Sequence, residues 1–142
     1  MYSAYNNAYQ NAGPPVPITL PEALQEDLIE IDQEKFSSLL KEYPIVVVDV
    51  WAPWCRPCVE AGKKILDFLK IFEVALESQE LIFVKDNIDR EETIHGPHVE
   101  AVPTFFIYYR GALHHRLNGF NMQEIGDTVQ NLLLAPPVEV KN

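Results

Sequence analysis

The run IVVVDV, residues 45 to 50, is almost entirely β-branched, and it leads through eight residues into a long amphipathic pattern. A strand so continuous in Val and Ile is one buried on both faces, inside a sheet with helices above and below it. The eight residues, WAPWCRPC at 51 to 58, hold both cysteines and both tryptophans of the chain. The pattern after them, VEAGKKILDFLKIFEVALES, sets Ala61, Ile65, Phe68, Leu69, Phe72 and Leu76 at helical spacing and predicts one long helix. Strand, cysteine turn and helix in that order confine the chain to an α/β architecture.

The flanking segments extend the alternation. LIEID at 28 to 32 reads as a short strand. QEKFSSLLKEY follows as a helix with Phe36, Leu39 and Leu40 on one face and Asp32 as N-cap, and Pro44 stops it. LIFVKDNID at 81 to 89 is a second buried strand, and REETIHGPHVE a short polar helical or loop region. TFFIYY at 104 to 109 and ALHHRL at 112 to 117 form a hairpin across RG. MQEIGDTVQNLLL closes the domain as a helix with Ile125, Val129, Leu132 and Leu133 inward. The order β-α-β-α-β-α-β-β-α predicts a central mixed sheet flanked by helices on both faces. Residues 1 to 20 show no period of 2 or 3.6 and are expected to form a disordered or loosely attached extension. The domain is expected over 21 to 135, with a short tail over 136 to 142.

Composition narrows the function. A chain of 142 residues, 47% hydrophobic and 23% charged, suits one globular domain. Its net charge of -10 argues against nucleic acid, which needs clustered Lys and Arg, and reads as solubility. Two cysteines are too few for a disulfide-stapled secreted scaffold. The first residues lack a basic n-region and an apolar h-region, and no apolar run approaches the roughly 18 residues of a membrane span. The expected location is cytoplasmic, with neither membrane nor nucleic acid as partner.

Cys55 and Cys58 sit at i and i+3 where a strand gives way to a helix. That spacing lets the two sulfurs bond with little backbone movement. The helix N-terminus favours an anion, which makes a thiolate available near neutral pH. Pro57 suits the first helical turn, where its missing N–H costs nothing. A thiolate that attacks a substrate disulfide needs a second thiol to resolve the mixed disulfide. Cys55, expected to be the exposed one, is the attacker, and Cys58, one turn further in, the resolver. Two other readings stay open at this point: half of a zinc site, with His95 and His98 as partners, and a merely structural pair. The redox turn suits the buried strand and Pro57 better, so no metal is expected. All four histidines are expected at the surface or in loops, with His114 and His115 pointing to opposite faces of a strand. Asp49 is the one acid of IVVVDV. Burial there raises a carboxyl pKa and makes it a proton acceptor.

These segments resemble the thioredoxin family. VVVDVWAPWCRPC is similar to the family's strand, buried acid and W-C-G-P-C active site. VKDNID resembles its third-strand segment, AVPTFFIYYRG its cis-proline loop and fourth strand, and LNGF its glycine loop before the last helix. The resemblance covers residues 28 to 135 and implies the thioredoxin fold. It makes Cys55 the nucleophile and Cys58 the resolving thiol, with Asp49 helping to deprotonate Cys58 and Lys85 near it inside the sheet. It makes Pro103 a cis-proline facing the cysteines. Trp54, Val102 and Gly119, with Arg56 and Pro57, would line the substrate groove, and Trp51 would pack beneath the active-site loop. Two departures stand out: Arg56 replaces the family's glycine between the cysteines, and Lys63, beside Gly62, replaces the kink proline of the long helix. The implied function is a protein disulfide reductase cycling between a Cys55–Cys58 disulfide and the dithiol. It carries no cofactor of its own and is recharged by a flavoprotein reductase such as thioredoxin reductase. The alternatives are a net thiol oxidase or isomerase, and a binding adaptor with little redox turnover.

Overall fold

A computed structural model describes residues 27–135. The expected extension over 1 to 20, the start of the domain at 21 and the tail over 136 to 142 lie outside the described residues. In chain order the elements are β1 (Ile29–Glu30), α1 (Gln33–Glu42), β2 (Ile45–Trp51), α2 (Arg56–Leu69), a 3-10 turn (Lys70–Phe72) and α3 (Glu73–Glu77). Then come β3 (Leu81–Asn87), a 3-10 turn (Gly96–His98), β4 (Thr104–Tyr109), β5 (Ala112–Asn118) and α4 (Met122–Leu133).

The five strands form one mixed sheet in the order β1-β3-β2-β4-β5. β2 lies at its centre, parallel to β3 and antiparallel to β4. Residues Ile45 to Val50 are all buried, as their β-branched composition demands. Register sets Asp49 beside Lys85 on one side and Phe105 on the other. Asp32 caps α1 by accepting from the Lys35 N–H at 2.8 Å, and Asn121 caps α4 by accepting from the Glu124 N–H at 3.0 Å. Phe68, Phe72, Phe83, Ile65 and Leu76 close the core between sheet and helices. Each such side chain contributes about 1.5–3 kcal/mol by leaving water.

Three expectations change. The long helix is not continuous: the 3-10 turn at Lys70–Phe72 separates α2 from α3. Across the turn Phe72, Ala75 and Leu76 stay buried while Ile71 and Val74 stay in water, the same face that an unbroken helix would bury. A run of β-branched and aromatic residues there favours helix only weakly. The helix, in turn, runs unbroken through Gly62.

The second narrows an expectation: of the helical or loop region foreseen between β3 and β4, the structure has a loop holding the 3-10 turn at Gly96–His98. Its N–H groups are drawn elsewhere: Asp86 accepts from the amides of Ile94 at 3.1 Å and His95 at 2.8 Å, and from the Thr93 hydroxyl at 2.8 Å. A carboxylate that captures successive amides competes with a helical ladder.

The third is His95, which lies in a loop as expected but is buried there, 3% exposed between Phe36 and Phe106. The other histidines lie at or near the surface, with His115 Nε2 2.8 Å from Glu124 Oε2.

Candidate active site

The cysteine turn begins where β2 ends. The Cys55 N–H donates to the Ala52 carbonyl at 3.1 Å, and Cys55 then becomes the N-cap of α2. Its sulfur accepts from the Cys58 N–H at 3.2 Å. A sulfur in that position receives one of the free donors of the helix start, which is the physical basis for a stabilised thiolate once the pair is reduced. Arg56 and Pro57 form the exposed first turn. Cys55 and Cys58 are joined in a disulfide, with their Cα atoms 5.2 Å apart.

The two sulfurs differ less in exposure than the sequence implied: Cys55 is 5% exposed and Cys58 2%. They differ in what they face. The Cys55 sulfur lies 3.6 Å from the Val102 carbonyl oxygen. The next peptide bond, Val102–Pro103, is cis. Gly119 holds this loop from below by donating its N–H to the Pro103 carbonyl at 2.8 Å, with φ at 81°, a left-handed conformation that suits glycine. Cys58 instead lines a cavity of about 160 Å³ together with Asp49, Trp51, Gly62 and Lys85.

Asp49 is 4% exposed, and its Oδ1 is buried without a hydrogen-bond partner. Burial pushes its carboxyl up to about 7; the Lys85 charge opposes that rise and the Glu30 charge adds to it. Lys85 is the Cα partner of Asp49, but its ammonium reaches the cavity mouth, 3.1 Å from Asp27 and 5.0 Å from the centre of the Trp51 ring. Trp51 is fixed beneath the cysteine loop by donating its indole N–H to Glu30 at 3.1 Å. Glu30 also accepts from the Asn87 N–H at 2.6 Å, and burial raises its own carboxyl pKa.

On the outer face, Trp54 is 68% exposed and donates to Asp89 at 3.2 Å. Arg56 is exposed and makes no ion pair among the described residues. His95 and His98 do not converge on the cysteines: His95 is held by Asp86 in the core. Among the described residues no group of three or more His, Cys, Asp or Glu side chains could hold a metal. None of the described helices is long and apolar enough to cross a membrane. Sequence reasoning missed Asp27 at the cavity, Glu30 behind Trp51 and the Asp86–His95 pair. The signal for the last was an acid inside LIFVKDN, the same signal that marked Asp49.

Comparison with known proteins agrees with this geometry. The thioredoxin family profile matches residues 27–131. The chain is 30% identical over 94 residues to thioredoxin 1 of Plasmodium falciparum, covering 66% of this chain and 85% of that protein. It is 28% identical over 100 residues to thioredoxin-1 of Schizosaccharomyces pombe, covering 70% and 91%. Among solved structures, oxidised mitochondrial thioredoxin 3 of Saccharomyces cerevisiae superposes with a TM-score of 0.63 at 23% identity, covering 73% of this chain and 94% of that one. Reduced Schistosoma mansoni thioredoxin does so with a TM-score of 0.58 at 29% identity, covering 75% and 99%.

Proposed function

Because this chain belongs to the thioredoxin family and is a thiol–disulfide oxidoreductase acting on protein disulfides, we propose the following roles for its residues. In the reduced protein the Cys55 thiolate attacks one sulfur of a substrate disulfide. The substrate S–S bond breaks, a Cys55–substrate bond forms, and the leaving thiolate takes a proton from solvent. Asp49 accepts the Cys58 proton through the shared cavity. The Cys58 thiolate then attacks the Cys55 sulfur, releases the second substrate thiolate and leaves the Cys55–Cys58 disulfide. Two electrons and two protons from a flavoprotein reductase restore the dithiol.

The substrate chain lies in extended form against Val102 and cis-Pro103, pairing with the backbone as an added strand. Trp54, Arg56, Pro57 and Gly119 border it, and Lys85 moderates the charge of Asp49. The observation that carries this reading is the disposition of the two sulfurs: one faces the Val102 carbonyl, the other a cavity shared with the buried Asp49 carboxyl, whose Oδ1 has no hydrogen-bond partner. A cycle that must be continually reduced suits a cytoplasmic location.

Insulin reduction with and without a flavoprotein reductase tests the reading. Reductase-dependent turnover supports it. A protein that oxidises dithiols in glutathione buffer but leaves insulin intact is a net oxidant, and one that does neither is an adaptor.

A further inference from the structure

Asp86, His95 and Tyr108 take no part in the thiol chemistry, yet they form a dense buried network. Asp86 is 1% exposed. One of its oxygens accepts from the Ile94 and His95 amides and lies 2.8 Å from His95 Nδ1; the other accepts from Thr93. His95 Nε2 lies 2.7 Å from the Tyr108 hydroxyl. Both ring nitrogens therefore lie within hydrogen-bond distance of a partner, Nδ1 of Asp86 and Nε2 of Tyr108. Burial alone would push the Asp86 carboxyl up, but hydrogen bonds from His95 and Thr93 hold it below the usual carboxylate range. Phe36 and Phe106 pack on the ring, with centroids 5.2 Å and 4.7 Å away.

The placement of the three residues is what matters. Asp86 lies near the end of β3, and Tyr108 lies on β4, the strand that follows Pro103. His95 belongs to the connection between those strands. Apart from the turn at Gly96–His98, that connection has no regular structure of its own. The network therefore ties the middle of an irregular segment to both strands it joins. Closure is tight: a Cβ on Gly96 would lie 2.8 Å from the Thr93 methyl carbon. The far end of the same segment is the Val102–Pro103 bond, whose Val102 carbonyl faces the Cys55 sulfur.

We propose that Asp86, His95 and Tyr108 form a clasp that holds the Val102–Pro103 loop in the position from which it binds extended protein substrates, with His95 as its central positioning residue. The proposal rests on the reading of that loop as the substrate platform. A protein substrate pairs with the loop backbone and depends on its position. A small disulfide needs only the Cys55 sulfur. Loosening the clasp separates the two.

The test measures kcat and KM of the full chain for insulin and for a small aromatic disulfide, dithiobis-nitrobenzoate. His95→Phe keeps the packing between Phe36 and Phe106 but loses both ring hydrogen bonds. It is expected to raise KM for insulin about five- to tenfold while kcat and the small-disulfide rate stay within about twofold. His95→Asn, which retains a donor near the Nδ1 position, recovers most of that loss. Tyr108→Phe removes one hydroxyl only and raises KM for insulin about twofold. The clasp is overturned if the insulin and small-disulfide rates fall together, or if KM for insulin does not move. Should His95→Phe fail to fold, Tyr108→Phe decides by the same criterion. Pro103→Ala separates the two levels of the argument. If it raises KM for insulin and the clasp variants do not, the clasp alone fails. If it too leaves that KM unchanged, the loop is not the substrate platform.

Discussion

Asp49 and Cys58 line one cavity of about 160 Å³, Asp49 from the central strand and Cys58 from the first turn of α2. The carboxyl enters it with a buried oxygen that has no hydrogen-bond partner. Such a group is costly when ionised and useful as a proton acceptor, and the two properties cannot be separated.

That coupling fixes how stability varies with pH. The Asp49 pKa is raised from 3.8 to about 7 in the folded chain. Between those values the unfolded chain has lost the proton and the folded chain keeps it, so stability falls as pH rises through that window. Above the folded value the full cost, about 4 kcal/mol, is present. Asp49→Asn removes it. Denaturant unfolding of the oxidised protein at pH 4 and pH 8 should show a gain for the variant that is large at pH 8 and small at pH 4. The same variant should resolve mixed disulfides more slowly and lose the rate inflection near neutrality.

Gly62 lines the same cavity from α2, and a Cβ placed on it meets nothing within 4 Å. Gly62→Ala should therefore gain about 1 kcal/mol of helix stability without a clash. Its methyl group would fill part of the cavity that Asp49 and Cys58 line. The expected result is a higher melting temperature together with slower resolution, read from thermal unfolding and single-turnover reduction. A variant that is more stable and equally fast would show that the proton does not pass through that space.

The roles of the sulfurs are tested by trapping. Cys58→Ser removes the resolving thiol and should accumulate mixed disulfides on Cys55. Cys55→Ser should trap nothing, because the remaining thiol faces the cavity rather than the Val102 carbonyl. Non-reducing gels of both variants after exposure to oxidised insulin decide it, and trapping by Cys55→Ser would invert the assignment.

What the sequence made legible was local. A buried strand, a capping cysteine and an amphipathic helix each depend on neighbours within a few residues, so 45 to 69 could be read directly. Asp49 stood out because an acid is anomalous in a β-branched run. The cis state of Val102–Pro103 came only through resemblance, since an X–Pro bond does not announce its isomer. The Asp86–His95–Tyr108 network was missed for a different reason. It joins two strands and a loop, and an acid in LIFVKDN, a histidine in HGPH and a tyrosine in TFFIYY carry no spacing that says they meet. The break at Lys70–Phe72 carried no Gly or Pro to mark it, and Phe68, Phe72 and Leu76 keep the i, i+4 spacing of one continuous helix across it.

Residues 1 to 20 carry no core-forming period, and the family profile starts at residue 27. Deleting them should leave melting temperature and insulin turnover nearly unchanged. A loss of several degrees would show that the segment packs on the domain.

Arg56 is the departure that bears on redox poise. It occupies the first position of α2, next to the sulfur that must become an anion, and is exposed without an ion pair among the described residues. Exposure weakens its field through solvent screening, yet the sign is fixed: a cation beside a thiolate favours ionisation. A stabilised thiolate stabilises the reduced form, so the expected effect of Arg56 is a more oxidising couple. Arg56→Gly should shift formation of the Cys55 thiolate to higher pH and make the reduction potential more negative. The bare glycine should also widen access for insulin and speed its reduction. Thiolate absorbance and a glutathione redox equilibrium, each at low and moderate salt, measure both shifts. They should be larger at low salt, where screening is weakest. Equal thiolate titrations of the two proteins at low salt would mean that the guanidinium points away from the sulfur and leaves the poise of the couple to the helix terminus alone.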